Sequence, residues 1–458
     1  MKKIFVRDLD HVPEGTAVTL LGWLKAKRNL GGLLFVDLCD STGSIQIVVK
    51  RDQADSSGPP DQMEQPVATA TATQVAGAPY RLLKAASQES AIKADGVVQL
   101  GQSGKEVHVT AVEVVGQAEL DLSPRPRSDF DVFDVSRADH LLRSRHFYLR
   151  NEKVMAVLKF RHLLMRAIHN WFNQHQYVEI TAPVLTPLPL YDDKTALQLD
   201  VHDDSVFLTQ CVGFYLESAV HAFERVYNIG PSFRGEESRS KRHLMEYWHI
   251  KAELAWVNLE DLIRIVEDLI SHTVSVVEPQ SDEIMSALGT QLCMHGLDTP
   301  YPRITYAEAV ERLHHLGMEF EFGQSMGSKE EEALSKQFVS PFWIVGIPRA
   351  VEPFPYVVDQ KDTRVTMTAD LIATGGYGEL LGVAEKIHDL SELDERMQEK
   401  GKFGDERYDW LRDLRKNGCV PHGGFGMGFE RFIRWLLDIP HVRDTIPFPR
   451  TFRRRIFP

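Results

Sequence analysis

The sequence predicts an α+β protein in two parts, a small closed β-barrel followed by a larger domain of mixed strands and helices. Five short strand-like stretches fall within about the first 120 residues of the chain. From residue 138 onward, helical periodicity and strand-like runs occur together. The length of 458 residues agrees with this division, because domains usually have about 100–200 residues each.

The barrel prediction depends on residues 17–49, where three strands are separated by turns at Gly31-Gly32 and Thr42-Gly43. Two further stretches, 94–100 and 106–115, complete a set of five. Five short strands in so short a segment are typical of a small closed barrel. Residues 52–79 are rich in Pro, Ala, Thr, Ser and Gly without periodicity, and we predict a flexible insertion there. We assign residues 1–120 to this domain.

A polar, proline-containing segment at 121–137 predicts a hinge, and residues 138–458 form the second predicted domain. Apolar residues recur near helical spacing over 138–175, which predicts a helix there. Residues 259–276 predict an amphipathic helix, and 247–256 predict a strand. A final helix is expected at 428–438.

Composition excludes several classes of protein. With 43% apolar and 26% charged residues, the chain is neither disordered, collagen-like nor a disulfide mini-protein. Its four cysteines lie far apart, which argues against a zinc knuckle and for a reducing, cytoplasmic location. No apolar run reaches about 18 residues, and the N-terminus lacks the apolar segment of a secretory signal. The net charge of −13 still allows a local basic face that binds nucleic acid.

One candidate site begins at Arg234, where an arginine at the end of a strand is followed by a polar loop, then Arg242-His243 and the aromatic Tyr247. Arginine forks bind phosphate oxygens through two parallel hydrogen bonds, and an aromatic ring can stack on adenine. The pattern indicates a nucleotide polyphosphate site. A surface hairpin held by salt bridges explains the segment equally well.

A glycine-rich run at 423–428 precedes Arg431 at the start of the last helix. Glycine allows a ligand to approach the backbone closely. The run is not a Walker A loop, because no Gly-Lys-Ser/Thr follows. A packing turn between a strand and a helix is the alternative interpretation.

The predicted barrel combines aromatic, basic and amide side chains, a combination that binds single-stranded nucleic acid in barrels of this kind. The alternative is that its two aromatic rings pack in the core. The residues are Trp23, Lys25, Lys27, Arg28, Phe35 and Gln46.

Taken together, these segments resemble the class IIb aminoacyl-tRNA synthetases over nearly the full length. The three family motifs correspond to 178–187, with Pro183 as the dimer-interface proline, to 233–253 and to 424–431. Tyr215-Leu216-Glu217 and residues 442–451 resemble the asparaginyl branch more than the aspartyl branch. The resemblance implies an N-terminal OB-fold that binds the anticodon, a class II catalytic domain with an antiparallel sheet, and a homodimer.

It also implies ATP-dependent adenylation of an amino-acid carboxylate and transfer to the 3′ end of tRNA, with ATP and Mg²⁺ required and no membrane involved. The implied catalytic residues are Arg234, Arg431 and Glu379, with Glu379 and Asp370 as metal ligands. The implied ATP site comprises Arg234, Glu236, Arg242, His243, Leu244, Tyr247, Glu379 and Arg431. The implied substrate pocket comprises Gly213, Tyr215, Glu217, Lys251, Glu253, Lys386 and Gly428. The implied anticodon contacts are Lys27, Arg28, Phe35 and Gln46.

The amino-acid half of the site departs from the family pattern. Gly213 replaces a glutamine that contacts the substrate amino group, Lys251 replaces an acidic residue near the ammonium, and Lys386 replaces an arginine. Two like charges at about 4 Å cost about 4 kcal/mol at an effective dielectric constant near 20. That energy corresponds to roughly a thousandfold in affinity.

Two interpretations of these departures stay open. In the first interpretation, Lys251 pairs internally with Glu385 or Glu217, and asparagine still binds. In the second, the protein is a paralogue that adenylates another acid. That acid would lack a free α-ammonium or carry an extra anionic group, and its acyl group would pass to tRNA or to a small-molecule amine. A non-catalytic RNA-binding protein is a third interpretation, and the intact Arg234, Glu236, Glu379 and Arg431 argue against it.

Overall fold

The structure is a computed structural model that describes residues 4–51, 79–102, 104–119, 123–189, 194–238, 240–293 and 297–456. The chain divides into two compact units, Met1–Phe130 and Asp131–Pro458. This division falls inside the segment 121–137, for which we predicted a hinge. The insertion predicted at 52–79 lies outside the described residues, except that Pro79 begins a helix.

The first unit contains a closed five-stranded barrel in the order β1-β2-β3-β5-β4, as predicted. Its strands are β1 (Ala17–Leu30), β2 (Leu33–Cys39), β3 (Ser44–Lys50), β4 (Ala91–Gly101) and β5 (Gly104–Gly116). Gly31 and Gly32 have φ of +59° and +92°, which a two-residue hairpin turn between β1 and β2 requires. A short helix, α1 (Pro79–Ala85), was not predicted. Its Tyr80 and Leu83 are buried in the barrel core.

The second unit is built on an eight-stranded sheet in the order β12-β13-β14-β15-β16-β11-β10-β6. The two outermost pairs, β12 with β13 and β10 with β6, are parallel, and the pairs between them are antiparallel. A separate three-stranded sheet has the order β7-β9-β8. The strands are β6 (Val178–Glu179), β7 (Leu185–Thr186), β8 (Leu197–Val201), β9 (Asp204–Leu208), β10 (Arg225–Phe233), β11 (Glu246–Ala255), β12 (Arg303–Thr305), β13 (Phe342–Val345), β14 (Thr368–Ala373), β15 (Gly378–Lys386) and β16 (His422–Gly428).

Helices of this unit pack on one face of the large sheet and around its edges. They are α2 (Ala138–Arg143), α3 (Arg145–Tyr148), α4 (Glu152–Gln174), α5 (Gly213–Phe223), α6 (Leu259–Val277), α7 (Asp282–Leu288), α8 (Tyr306–His315), α9 (Ser328–Ser335), α10 (Leu390–Glu399), α11 (Asp409–Lys416) and α12 (Phe429–Leu436). Within the described part of the chain, no helix is long and apolar enough to cross a membrane.

Residues 138–175 are largely helical, as predicted, and the segment is divided into the three helices α2, α3 and α4. Ser144 leaves helical geometry with ψ of 25° at the end of α2. Asn151 is extended, with ψ of 137°, and its side chain accepts hydrogen bonds from the backbone N–H groups of Lys153 and Val154. An asparagine in this position starts a new helix. The helix predicted at 259–276 is confirmed as α6, which Asn258 caps through the N–H of Asp261.

The two faces of the large sheet differ sharply at its centre. Ile250, Ala252 and Leu254 of β11, with Phe425 and Met427 of β16, point into the main core beneath α4 and α6. Residues between them on each strand point to the opposite face, because side chains alternate along a strand. On that face β11 carries polar side chains, and β16 carries His422 at its start followed by Gly424, Gly426 and Gly428. The candidate site lies on this face.

Candidate active site

A cavity that opens to solvent lies on this face of the sheet, and its empty space, counted out into the solvent at its mouth, is about 650 Å³. Its lining comes from the loop after β10, from β11, β15 and β16, and from the start of α12. The lining residues are Arg234, Glu236, Arg242, His243, Leu244, Tyr247, His249, Glu379, Leu380, Gly426, Gly428, Glu430, Arg431 and Val442. The structure therefore brings together on one cavity every residue that the family resemblance implied for the nucleotide.

Arg234 and Tyr247 form one wall of the cavity. The guanidinium carbon of Arg234 lies 5.9 Å from the centroid of the Tyr247 ring. The Arg234 backbone N–H donates a 2.9 Å hydrogen bond to the Met245 carbonyl, which fixes the start of the loop beside β11. Interaction with Tyr247, and with Glu236 and Glu379, raises the pKa of Arg234 against the effect of burial. The guanidinium is therefore a permanent positive charge on the cavity.

Arg431 and Glu379 form the opposite wall. Arg431, in the first turn of α12, donates hydrogen bonds of 3.2 Å to Glu379 Oε2 and 3.1 Å to the Glu379 carbonyl. Burial raises the pKa of Glu379, but Arg431, Arg242 and Arg234 together hold it below its usual value. The carboxylate is ionised, and three guanidinium groups surround it.

Glu331 of α9 orients Arg242 from behind the cavity. Arg242 donates to both carboxylate oxygens of Glu331, in a two-bond geometry that fixes the guanidinium plane. Glu331 also accepts a 2.8 Å hydrogen bond from the Glu379 backbone N–H. Gly378 has φ of +82°, and a Cβ there would lie 2.7 Å from Glu331 Oε2, so only glycine fits beside this pair. Glu331 was not among the predicted site residues, because α9 was not predicted.

Two histidines on the cavity are neutral at pH 7. Burial and the charges of Arg431, Arg242 and Arg234 lower the pKa of His243 to about 4. Its Nδ1 lies 2.8 Å from Ser238 Oγ. Burial, followed by the charges of Lys251, Arg234 and Arg431, holds the pKa of His249 well below its usual value. His249 was not among the predicted residues, although it lies on β11 two positions after Tyr247.

Five ionisable side chains form a buried group that we call the Glu217 cluster: Glu217, Glu253, Lys386, Arg415 and His422. Lys386 Nζ lies 2.6 Å from Glu217 Oε1 and 3.2 Å from Glu253 Oε1. Arg415 of α11 donates a 2.6 Å hydrogen bond to Glu217 Oε2, and His422 Nε2 lies 3.6 Å from the same oxygen. All five side chains are at most 3% exposed.

The Glu217 cluster fixes the charge of its members. Burial raises the pKa of Glu217, but Lys386 and Arg415 hold it well below its usual value. Burial lowers the pKa of His422, but contacts with Cys419 and Glu217 raise it to about 9. Glu217, Glu253 and Lys386 were predicted to line the substrate pocket, and the structure places them against one another, outside the lining of the 650 Å³ cavity. Arg415 and His422 were not predicted.

The other residues implied for the substrate pocket are dispersed. Gly428 lines the cavity, and Lys251 lies beside it on β11, opposite Gly426. Gly213 begins α5, with its N–H 3.3 Å from Cys211 Sγ. Tyr215 donates a 3.2 Å hydrogen bond to Thr186 Oγ1 and stacks on Trp410 at 5.6 Å.

The two carboxylates proposed as pairing partners of Lys251 are engaged elsewhere. Glu217 belongs to the buried cluster described above. Glu385 accepts a 2.7 Å hydrogen bond from the Leu259 N–H at the start of α6, on the core face of the sheet.

Asp370, the second implied metal ligand, lies on β14 opposite Gly382 and does not line the cavity. Burial, followed by the charges of Glu379, Glu352 and Glu331, holds its pKa well above the usual value. Burial, followed by the charge of Glu379, raises the pKa of Glu352 to about 7. In the described ranges, no group of three or more His, Cys, Asp or Glu side chains could hold a metal ion.

All four implied anticodon residues lie on the neighbouring strands β1, β2 and β3 of the barrel. Arg28 is opposite Phe35 in the register of β1 and β2, and its Nη2 donates a 3.2 Å hydrogen bond to Gln46 Oε1. Gln46 in turn donates to Glu106 at 2.8 Å. Neither Phe35 nor Trp23 is fully buried, and Trp23 is 36% exposed, which disfavours core packing for both rings.

Lys27 differs from the other three implied anticodon residues. Its ammonium donates 2.6 Å hydrogen bonds to the carbonyls of Lys84 and Ala86, at and just beyond the end of α1. Burial, and then the charge of Arg125, lowers its pKa. The side chain therefore anchors α1 to the barrel.

Comparison with known proteins agrees with this arrangement. Residues 137–452 match the family model for class II tRNA synthetases (D, K and N), and residues 18–115 match that for OB-fold nucleic acid binding domains. The chain is 32% identical to the asparagine–tRNA ligase of Thermococcus gammatolerans over 460 residues, covering 100% of this chain and 99% of the relative. It is 33% identical to that of Thermococcus kodakarensis over 461 residues, with 100% and 99% coverage.

A solved structure, the Pyrococcus horikoshii asparaginyl-tRNA synthetase complexed with asparaginyl-adenylate, superposes with a TM-score of 0.86 at 29% identity and covers 99% of both chains. In this chain an OB-fold precedes a catalytic domain built on an antiparallel-rich sheet, which is the order that the sequence predicted. The chain belongs to the class II tRNA synthetases of the D, K and N group.

Proposed function

We propose that this protein is an aminoacyl-tRNA ligase of the asparaginyl type, which adenylates a carboxylic acid with ATP and transfers the acyl group to tRNA. One observation carries the proposal. Arg234 and Arg431, from distant parts of the sequence, reach the same 650 Å³ cavity, and the Tyr247 ring lies beside them. Two permanent positive charges and an aromatic face suit a nucleotide polyphosphate.

The nucleotide is assigned to the cavity as follows. Tyr247 and Arg431 hold the adenine ring between them, and Arg234 spans the α-phosphate and the substrate carboxylate. Arg242 and His243 hold the outer phosphates together with Arg431. Because Glu331 fixes the Arg242 guanidinium by two hydrogen bonds, this contact is oriented before the nucleotide arrives. Glu236 lies 3.3 Å from His243 and is assigned to the adenine or to the tRNA 3′ end.

The reaction needs no protein nucleophile. An oxygen of the substrate carboxylate attacks the α-phosphorus of ATP, the bond to the bridging oxygen breaks, and pyrophosphate leaves with the electron pair. The terminal hydroxyl of tRNA then attacks the acyl carbon, loses its proton, and AMP leaves. Arg234 stabilises the negative charge that develops on the α-phosphate, so positioning and charge stabilisation supply the catalysis.

The residues present fit a magnesium ion bound together with the nucleotide. Mg²⁺ usually takes one or two carboxylates and completes its coordination with phosphate oxygens and water. Glu379 lines the cavity as an ionised carboxylate. The charges of Glu379, Glu352 and Glu331 act on the buried Asp370, and a bound cation would offset the repulsion among these carboxyl groups. When bound, the ion would neutralise phosphate charge.

The OB-fold supports tRNA as the acyl acceptor. Phe35, with Arg28 across the strand pair and Gln46 beside it, combines an aromatic ring with hydrogen-bonding groups, which suits an unstacked anticodon base. Transfer to a small-molecule amine would leave this set of residues without a role. The homodimer and the cytoplasmic location stay predictions.

Isotope exchange between ATP and pyrophosphate, followed by filter binding of charged tRNA, tests the proposal on the full chain. Exchange that depends on an added acid is expected, with asparagine as the first acid to try. Arg234→Ala should lower exchange by about 100-fold, the usual cost of removing one such donor. Arg364 is an exposed arginine that pairs with Asp362, and Arg364→Ala is the matched control, with unchanged exchange expected.

The two steps separate the candidate functions. Exchange without charging of tRNA would indicate transfer to a small amine. Failure of the wild-type chain to bind ATP, or full exchange by Arg234→Ala, would overturn the proposal.

A further inference from the structure

His249 lies on the cavity between two strands that carry glycine beside it. In the strand register it is opposite Gly230 of β10 on one side and Gly428 of β16 on the other. A Cβ atom on Gly426 would lie 2.8 Å from His249 Nε2, so this nitrogen lies over the bare backbone of β16. The neighbouring strands therefore leave room for the imidazole, which lines the cavity.

Ser232 determines how His249 presents its two ring nitrogens. It lies on β10 opposite Tyr247, so it is a diagonal neighbour of His249 on the same face of the sheet. Ser232 is buried, and its Oγ lies 3.3 Å from His249 Nδ1. Among the residues that the structure describes, none forms a hydrogen bond with His249 Nε2. Nδ1 is thus engaged within the protein, and Nε2 stays available to a ligand.

The imidazole of His249 is uncharged at neutral pH. Its pKa is held well below the usual value by burial and then by the charges of Lys251, Arg234 and Arg431. A neutral imidazole carries one N–H, and the hydrogen bond made by one nitrogen decides which of the two carries the proton. When Nδ1 accepts from the Ser232 hydroxyl, the proton lies on Nε2. An anionic oxygen in the cavity favours this arrangement, because Nε2–H can then donate to it.

The position of His249 along β11 relates it to the reacting end of the nucleotide. Its ring centroid lies 5.6 Å from that of Tyr247, the ring assigned to adenine. Alternate residues of a strand are about 6.6 Å apart, so His249 lies one such step from Tyr247 toward Lys251 and the Glu217 cluster. Arg234, which is assigned to the α-phosphate and the substrate carboxylate, is close enough to act on the pKa of His249. On this assignment, the imidazole lies beside the place where the acid and the α-phosphate join.

This inference rests on the proposed function. We propose that His249 is a further catalytic residue, whose Nε2–H donates a hydrogen bond to a non-bridging oxygen of the α-phosphate, and that Ser232 is the positioning residue that directs the proton to Nε2. The proton stays on Nε2 throughout, so the imidazole is neither an acid nor a base in the reaction. It stabilises the negative charge that develops on the α-phosphate as the carboxylate attacks. A neutral donor does so without adding a positive charge beside Arg234.

Two amide substitutions distinguish the two nitrogens of the ring. His249→Gln places an amide near the position of Nε2 and keeps a donor for the nucleotide. His249→Asn places it near Nδ1 and keeps only a partner for Ser232. ATP–pyrophosphate exchange on the full chain, without tRNA, compares them with the acid that supports exchange in the wild type, asparagine being tried first.

The donor role predicts different results for these two variants. We expect kcat to stay within about threefold of the wild type in His249→Gln and to fall about 10–100-fold in His249→Asn, the usual cost of losing a hydrogen bond to a charged group. KM for ATP should change less than kcat, because the hydrogen bond strengthens as charge develops on the α-phosphate.

Three further variants complete the comparison. His249→Leu removes both nitrogens and should behave like His249→Asn. Ser232→Ala removes the hydroxyl that directs the proton to Nε2, and it should lower kcat less than His249→Leu, because the imidazole can still adopt that tautomer. His315→Leu, the same change at an exposed histidine of α8, should leave kcat and KM unchanged.

The outcomes separate this inference from the function on which it rests. A kcat for His249→Asn that equals or exceeds that of His249→Gln overturns the donor role of Nε2 and leaves the proposed function standing. Loss of the fold in both variants, seen by circular dichroism, assigns His249 a structural role and overturns the inference too. Unchanged kcat in Ser232→Ala overturns the role of Ser232. Absence of exchange in the wild type overturns the proposed function and this inference together.

Discussion

Lys386 Nζ lies 2.6 Å from Glu217 Oε1, and the two side chains are 3% and 0% exposed. The contact joins β15 to α5 across the end of the sheet. Arg415 reaches the other oxygen of Glu217 from α11, so one carboxylate connects three elements of the catalytic unit. A charge pair this deeply buried stabilises the fold only while both signs are present, because an unpaired buried charge is costly.

Glu217→Gln should therefore destabilise the catalytic unit strongly. The substitution keeps the shape of the side chain but leaves the charges of Lys386 and Arg415 without their partner. We expect a loss of about 3–5 kcal/mol in the free energy of unfolding. Urea denaturation followed by circular dichroism measures it. Glu395→Gln removes a carboxylate that is 70% exposed and paired with Arg349, and should cost under about 1 kcal/mol.

His422 should make stability depend on pH. Its pKa in the folded protein is about 9, above the ordinary value of 6.5. A group whose pKa is raised by folding stabilises the folded state fully when the pH is below its ordinary pKa. That contribution is lost as the pH rises through the pKa of the group in the folded protein. The free energy of unfolding should fall between pH 6.5 and 9, as urea titrations at several pH values would show. The fall should be smaller in His422→Asn, and equal falls in both proteins would contradict the assignment.

Glu331→Gln should weaken ATP binding without abolishing catalysis. The carboxylate touches Arg242 rather than the nucleotide, so it acts as a positioning residue. We expect KM for ATP to rise about tenfold, which corresponds to a loss of about 1.4 kcal/mol in binding free energy. The change in kcat should be smaller. Glu332→Gln, one residue along α9, removes only the contact to the exposed Lys336 and serves as the control. A fall in kcat alone would argue against positioning.

Phe35→Ala should impair charging of tRNA and spare acyl activation. Stacking of a base on an aromatic ring is worth about 1–3 kcal/mol, so KM for tRNA should rise about tenfold or more. ATP–pyrophosphate exchange without tRNA should not change, because the ring belongs to the barrel unit. Leu100→Ala, at a side chain 70% exposed near the end of β4, is the control for loss of surface apolar area. Equal charging by both variants would exclude Phe35 from the tRNA contact.

The sequence predicted those parts of the fold that depend on local pattern. The five strands of the barrel follow from period-two alternation, and Gly31-Gly32 marks a hairpin turn. The helix at 259–276 follows from its amphipathic pattern and has Asn258 as its cap. The boundary between α2, α3 and α4 was missed, because the apolar spacing continues through Ser144 and Asn151.

The nucleotide half of the candidate site could be predicted because most of its residues lie between 234 and 247, with Arg431 after the glycine-rich run and Glu379 in a third segment. Glu331, Arg415 and His422 could not, because each reaches its partner only through the tertiary fold. The partners of Lys386 could not be predicted from the sequence either. Its sequence position indicates the pocket, but only the structure reveals that Glu217 and Glu253 already hold its ammonium.

The glycines of β16 have a consequence for how such a protein can be redesigned. A Cβ on Gly424 would lie 2.6 Å from Glu253 Cδ, and one on Gly426 would lie 2.6 Å from Lys251 Cδ. These positions accept no larger residue while their neighbours stay in place. Side-chain diversity beside the cavity is therefore confined to β11. Glu253 holds Lys386 in the buried Glu217 cluster, so a library aimed at new acyl specificities would vary positions 249 and 251 and keep Glu253 unchanged.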